Sequence, residues 1–116
     1  MNNKKYNKTF GDIGENIAKK HLKDNGYRVI ESNFKNKIGE IDIIALDHGV
    51  LVFVEVKYRK SDYFGLPREA VDLRKQQKIK LVAMGYINKY KLHDKPCRFD
   101  VLEILDDKIT LIKDCF

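Results

Sequence analysis

Between Gly39 and Lys57 the chain reads GEIDIIALDHGVLVFVEVK, and three acids and a lysine fall at spacings that could do chemistry together. Asp42 interrupts the apolar run from Ile41 to Leu46. Glu55 interrupts the run from Leu51 to Val56, and Glu40 and Lys57 stand at the outer ends. Asp-His-Gly between two runs rich in β-branched residues is a hairpin signal. With a two-residue His48-Gly49 turn, or a four-residue turn from Asp47 to Val50, Asp42 faces Glu55 and Glu40 faces Lys57. Directly opposed side chains share one face with Cβ atoms roughly 4.5 to 5.5 Å apart. The four residues would then form a polar square on an apolar ribbon. A three-residue loop would instead put the two acids on opposite faces.

Carboxylates on a buried ribbon need a partner, because burying an unpaired charge is costly. The partners on offer are Lys57, a metal ion, or a proton on one of the acids. Glu40, Asp42 and Glu55 supply oxygen ligands, with the Val56 carbonyl as a further donor, and such hard donors suit Mg²⁺ or Mn²⁺ better than zinc. Lys57 points to the same face as Glu55. It could orient or deprotonate a water, or neutralise charge on a phosphate, while the metal polarises a phosphodiester. The competing reading is a buried ion-pair cluster without catalysis, Glu40 to Lys57 and Asp42 to Arg59. Three acids and one lysine would leave that cluster net negative in a basic chain, and buried ion pairs stabilise poorly. Function explains the residues better.

The elements around this ribbon can be read from periodicity. Thr9 or Asp12 can cap a first helix, with Glu15 three residues after Asp12 as in a capping box and Ile13, Ile17, Ala18 and Leu22 as its apolar stripe. Asn25-Gly26 ends it. Glu15 is thus either a first-turn carboxylate complementing the helix dipole or a ligand of the site. Tyr27 to Phe34 reads as a first strand, and Lys35-Asn36-Lys37 turns the chain into the hairpin, giving three antiparallel strands. Leu51 to Val54 is apolar on both faces, the mark of an inner strand. Tyr58 to Gly65 mixes basic and aromatic residues, a composition that can bind phosphates and stack bases or simply form a polar loop. Pro67 suits the first turn of a long second helix through about Tyr90, with Ile79, Val82, Ala83, Tyr86, Ile87 and Tyr90 buried. Arg98 to Leu105 and Ile109 to Ile112 make a second hairpin around Asp106-Asp107. The order helix, three strands, helix, two strands predicts an α/β domain with a mixed sheet of about five strands and helices against it.

Length and composition bound the rest. A chain of 116 residues predicts one domain, residues 9–116, behind a flexible terminus at 1–8. No run approaches the roughly 18 apolar residues of a membrane helix, and the N-terminus has no apolar stretch behind its lysines, so the expected home is the cytoplasm, without membrane contact. Cys97 and Cys115 lack metal-type spacing and read as free thiols. Lys plus Arg number 23 against 17 Asp plus Glu, a net charge of +6. If several acids gather at one site, the remaining surface is more positive still, which suits an enzyme gripping phosphates around an acidic centre.

Asp42, a hairpin, and then Glu55-Val56-Lys57 resemble the D...(D/E)xK signature of the restriction-endonuclease-like nuclease superfamily. Together with Gly11-Asp12-Ile13-Gly14-Glu15, Gly39-Glu40-Ile41-Asp42-Ile43-Ile44-Ala45 and Val52-Phe53-Val54-Glu55-Val56-Lys57-Tyr58-Arg59, they resemble the bacterial YraN-like family over nearly the whole chain. That family is similar in pattern to archaeal Holliday-junction resolvases. The familiar proline before the first motif aspartate is replaced here by Ile41. The resemblance implies a restriction-endonuclease-like fold and Mg²⁺- or Mn²⁺-dependent endonucleolytic cleavage of DNA, with branched or structured DNA among the candidate substrates and a homodimer compatible with it. It assigns Asp42 and Glu55 as metal ligands, Lys57 as the catalytic cation and Glu15, on the N-terminal helix, as an auxiliary ligand. In several nucleases of this fold a Gln or Lys on the following helix assists the site, and the candidate here is Gln77, with Gln76 and Lys75 close behind. Arg59, Lys60, Arg68, Arg74 and Lys78 would hold the phosphates. The alternative is a nucleic-acid-binding protein of the same fold without turnover.

Overall fold

The computed structural model of the protein describes residues 3–59 and 71–116, with side chains from Ile13 onward. Its elements run α1 (Asn3–Asp24), β1 (Arg28–Lys35), β2 (Glu40–Asp47), β3 (Val50–Arg59), α2 (Leu73–Tyr90), β4 (Cys97–Leu105) and β5 (Lys108–Ile112). The strands form one sheet in the order β1-β2-β3-β4-β5. All neighbours are antiparallel except β3 and β4, which pair in parallel from Leu51↔Cys97 to Arg59↔Leu105. Parallel neighbours need a crossover connection, and α2 lies in it. This is the mixed α/β sheet that the order of apolar patterns predicts.

The central hairpin takes the register expected of a two-residue turn, with Ile43 opposite Val54 and Asp47 opposite Val50. His48 and Gly49 both have positive φ, 50° and 85°. Two such residues in succession make the turn whose twist matches that of the flanking strands. Alternation along β3 then decides which face each residue meets. Phe53 packs with Phe34, Ile44, Ile79, Val82 and Tyr86 beneath α2. Val52 and Val54 pack with Ala18, Leu22, Ile43, Leu102 and Ile104 beneath α1. Covering both faces makes β3 the inner strand, and each fully buried large apolar side chain contributes about 1.5 to 3 kcal/mol. Glu55 and Lys57 follow Phe53 at two-residue steps, so the sheet presents them on the α2 side.

Both helices begin where different signals win. α1 starts at Asn3 and takes in residues 3–8, so Asp12 lies inside the helix instead of capping it. Residues 3–10 contain no proline or glycine to stop the helix, and lysines at 4, 5 and 8 favour it. α2 starts at Leu73, because Asp72 Oδ1 accepts the Lys75 backbone N–H at 2.8 Å and so caps the helix there. Pro67, the expected start, lies outside the described residues. The C-terminal end of α2 is closed by Lys91 in the left-handed conformation, its N–H donating to the Ile87 carbonyl. No helix of the described residues is long and apolar enough to cross a membrane.

A buried polar network ties down the end of the sheet away from Asp42. Arg98 donates to Asp47 at 2.7 Å, to Asp100 at 3.0 Å and to the Tyr27 hydroxyl at 2.7 Å. The Asp114 backbone N–H donates to Asp100 Oδ1 at 2.9 Å. Asp100 is fully buried, and these donors satisfy it. The network joins β2, β4, the C-terminal tail and Tyr27, the residue before β1.

Candidate active site

The hairpin ladder ends at Ile43↔Val54. One residue further out, Asp42 Oδ2 accepts the backbone N–H of Val56 at 2.8 Å. A side chain has taken the place of a ladder partner, and β2 and β3 part around it. Asp42 and Glu55 lie close enough for the charge of one to act on the other. Burial pushes the Asp42 carboxyl up to about 7, and the neighbouring Glu55 adds to the effect, against the Val56 N–H, which opposes it.

Two lysines complete the group. Lys57 Nζ is 4.0 Å and Lys75 Nζ 3.1 Å from the same oxygen, Oε1 of Glu55. Burial holds the Lys57 ammonium below the ordinary lysine range, and the neighbouring Lys75 adds to the effect. Burial also works against the Lys75 ammonium, but the Glu55 charge beside it outweighs this and raises Lys75. The four side chains line a groove of about 670 Å³, together with Lys35, Glu40, Val56 and Lys78. Gly39 forms part of the same wall. A Cβ there would lie 3.1 Å from Lys78 Cε and 3.4 Å from Val82 Cγ2, so glycine lets α2 close on the mouth of the hairpin.

The other residues singled out by the sequence scatter. Glu40 lines the groove but is exposed, and the expected pair from Glu40 to Lys57 gives way to the contact of Lys57 with Glu55 and Lys75. Glu15 is outside the group. It accepts from Asn33 Nδ2 at 2.8 Å and pairs with Lys19 at 3.4 Å, because the helix that carries it packs on the opposite face of the sheet from α2. Asn33 reaches it from a left-handed backbone, φ 53°. Arg59 is buried and ion-paired with Glu103 of β4, not with Asp42 as the competing reading had it. Lys60 and Arg68 lie outside the described residues. Arg74 and Gln77 are exposed on α2 and do not line the groove, whereas Lys78 does.

Of the three α2 residues that the sequence reading offered, Gln77 first with Gln76 and Lys75 close behind, it is Lys75 that lines the groove. Its signal was present, since the buried stripe of α2 at Ile79 and Val82 extends back by four residues to position 75, not 77. Among the described residues no three His, Cys, Asp or Glu side chains gather as a metal group. Asp42 and Glu55 are the pair that could hold an ion. Two carboxyls lining one groove fit Mg²⁺, which takes one or two carboxylates and keeps several waters. The arrangement could therefore neutralise a phosphate with lysines while a cation satisfies the acids.

Residues 14–104 match the family model described as "Uncharacterised protein family UPF0102". A UPF0102 protein of Caldanaerobacter subterraneus subsp. tengcongensis is 51% identical over 113 residues, covering 95% of this chain and 93% of the relative. One from Clostridium beijerinckii is 45% identical over 119 residues, with 97% of each chain covered. One from Acetivibrio thermocellus is 41% identical and spans 100% of this chain and 97% of its own. Matches of this extent, over the fold and the whole of the Asp42 to Lys57 hairpin, place the chain in the UPF0102 family.

Proposed function

We propose that the protein is a metal-dependent DNA endonuclease of the restriction-endonuclease-like type. The observation that carries this reading is the pair of acids, Asp42 and Glu55, lining one groove with Lys57 and Lys75 set against Glu55. The resemblance of Asp42 and Glu55-Val56-Lys57 to the D...(D/E)xK signature supplies the reaction class. Mg²⁺ or Mn²⁺ would be held by Asp42 and Glu55, and when bound it supplies charge stabilisation at the scissile phosphate. The remaining work falls to the chain itself. Lys57 Nζ, whose proton burial and Lys75 loosen, can take a proton from an attacking water or place its charge on the phosphate. Lys35 and Lys78, on the rim of the groove, hold flanking phosphates. The Val56 N–H fixes Asp42, which keeps the two acids close. DNA is the partner that the net charge of +6 favours, with branched or structured forms among the substrates.

One observation favours a second reading, a DNA-binding protein without turnover. Lys75 and Lys57 already counter the two acids, so the group is satisfied without an ion. The two readings part on linear, single-stranded, flap and four-way-junction DNA incubated with Mg²⁺ or Mn²⁺. A nuclease gives a metal-dependent product on at least one of them, and Asp42→Asn and Lys57→Ala abolish it while leaving binding in place. Binding without product on every substrate would sink the nuclease reading and support the second.

A further inference from the structure

The nuclease reading, on which this inference rests, gives Asp42 and Glu55 a divalent ion, and the group at Glu55 bears on how such an ion is taken up. We propose that Lys75 is the resident cation of the site, seated on Glu55 where the divalent ion binds, so that metal loading is an exchange in which the ion displaces Lys75 into the groove.

Three observations converge. Lys75 Nζ is the nearer of two ammoniums on Glu55 Oε1, at 3.1 Å against 4.0 Å for Lys57. An ion bound through that oxygen and a lysine bound to it compete for the same lone pairs. Charge gives the second argument. Asp42 and Glu55 face Lys57 and Lys75 in a recess where the Glu55 side chain is 9% exposed. Adding a divalent ion with both lysines in place would crowd three cationic groups at short range around Glu55. One cation must leave, and Lys75, with 44% of its side chain exposed against 20% for Lys57, has the open path.

The third argument comes from α2. Its first turn contains no acid, although it holds Arg74 and Lys75. Cations at that end of a helix oppose the macrodipole, so helix formation does not account for a lysine there. Glu55 does. Once displaced, the Lys75 ammonium still borders the groove that Lys35 and Lys78 line, where a phosphate of the nucleic acid can receive it.

The test is Mn²⁺ titrated into the full chain, with free aquo-Mn²⁺ read by electron paramagnetic resonance. Folding of each variant is checked by circular dichroism and thermal unfolding. Lys75→Met should bind Mn²⁺ about tenfold more tightly than wild type, and Lys75→Gln, a second neutral variant, should do the same. Lys75→Arg should stay within about threefold, and so should Lys78→Met, which removes a groove charge not seated on Glu55. Equal tightening by Lys78→Met would reduce the effect to a general field and overturn the exchange. Mn²⁺ affinity lost in Asp42→Asn but unmoved by Lys75→Met or Lys75→Gln would overturn the exchange alone. No Mn²⁺ bound by wild type or by either neutral Lys75 variant would overturn both the exchange and the metal-dependent reading.

Discussion

Asp42, on β2, accepts the backbone N–H of Val56, the residue after Glu55 on β3. The ladder between the two strands ends just before, at Ile43 and Val54, and both acids line the groove beyond it. Two acids held close inside a fold cost stability once both are ionised, so this geometry gives the folded protein a measurable pH signature.

Burial and Glu55 raise Asp42 to about 7 from the ordinary aspartate value of 3.8. The native state therefore binds more protons than the unfolded chain between those two values, and stability from this group rises as pH falls. It is fully present below about 4 and is lost as pH climbs through 7. Urea unfolding in EDTA should find the protein about 2 kcal/mol more stable at pH 5.5 than at pH 8 through Asp42. Asp42→Asn keeps an acceptor for the Val56 N–H and should remove that difference. A variant with the wild-type slope would place the titration elsewhere.

The ion pair of Arg59 with Glu103 predicts a stability effect where sequence reasoning expected a phosphate contact. Arg59 is 8% and Glu103 6% exposed, on the adjacent parallel strands β3 and β4. Arg59→Ala should destabilise by about 3 to 5 kcal/mol, because it strands a buried carboxylate. Arg59→Met with Glu103→Leu should recover most of that loss in the same urea melts. DNA affinity of the double variant should match wild type in a binding titration at low salt. A tenfold loss of affinity would return Arg59 to the DNA surface.

How far the site was legible differs residue by residue. The Asp-His-Gly turn fixes the hairpin register, and a period of two along β3 then puts Glu55 and Lys57 on one face. That much follows from local rules. The parting of the strands at Asp42 does not, since a side chain replacing a ladder bond leaves no trace in an alternation of apolar and polar residues. Glu15 fits a capping box by spacing, but α1 starts at Asn3 and delivers it to Asn33. Which face a helix docks on is a tertiary fact, and so is the pairing of Arg59 with β4. Lys75 depended on where α2 begins, and Asp72 decided that by capping the helix five residues past Pro67, the expected start.

Lys78 separates phosphate grip from chemistry. It is exposed, it lines the groove without appearing among the partners of Glu55, and Gly39 leaves its aliphatic stem room against the hairpin. A lysine that contacts phosphate contributes through released counterions, independently of base sequence. Lys78→Ala should therefore weaken binding to DNA of unrelated sequences by similar factors. It should also make the slope of log affinity against log salt shallower by about 1. With saturating DNA and Mg²⁺, cleavage by Lys78→Ala should stay within about threefold of wild type, because an interaction made equally in ground and transition states affects KM and not kcat. Fluorescence anisotropy at a series of salt concentrations reads the first two effects, and single-turnover cleavage reads the third. An unchanged salt slope, or a cleavage rate that collapses at saturation, would remove Lys78 from the phosphate-holding rim and put it with Lys57 and Lys75 in the chemistry.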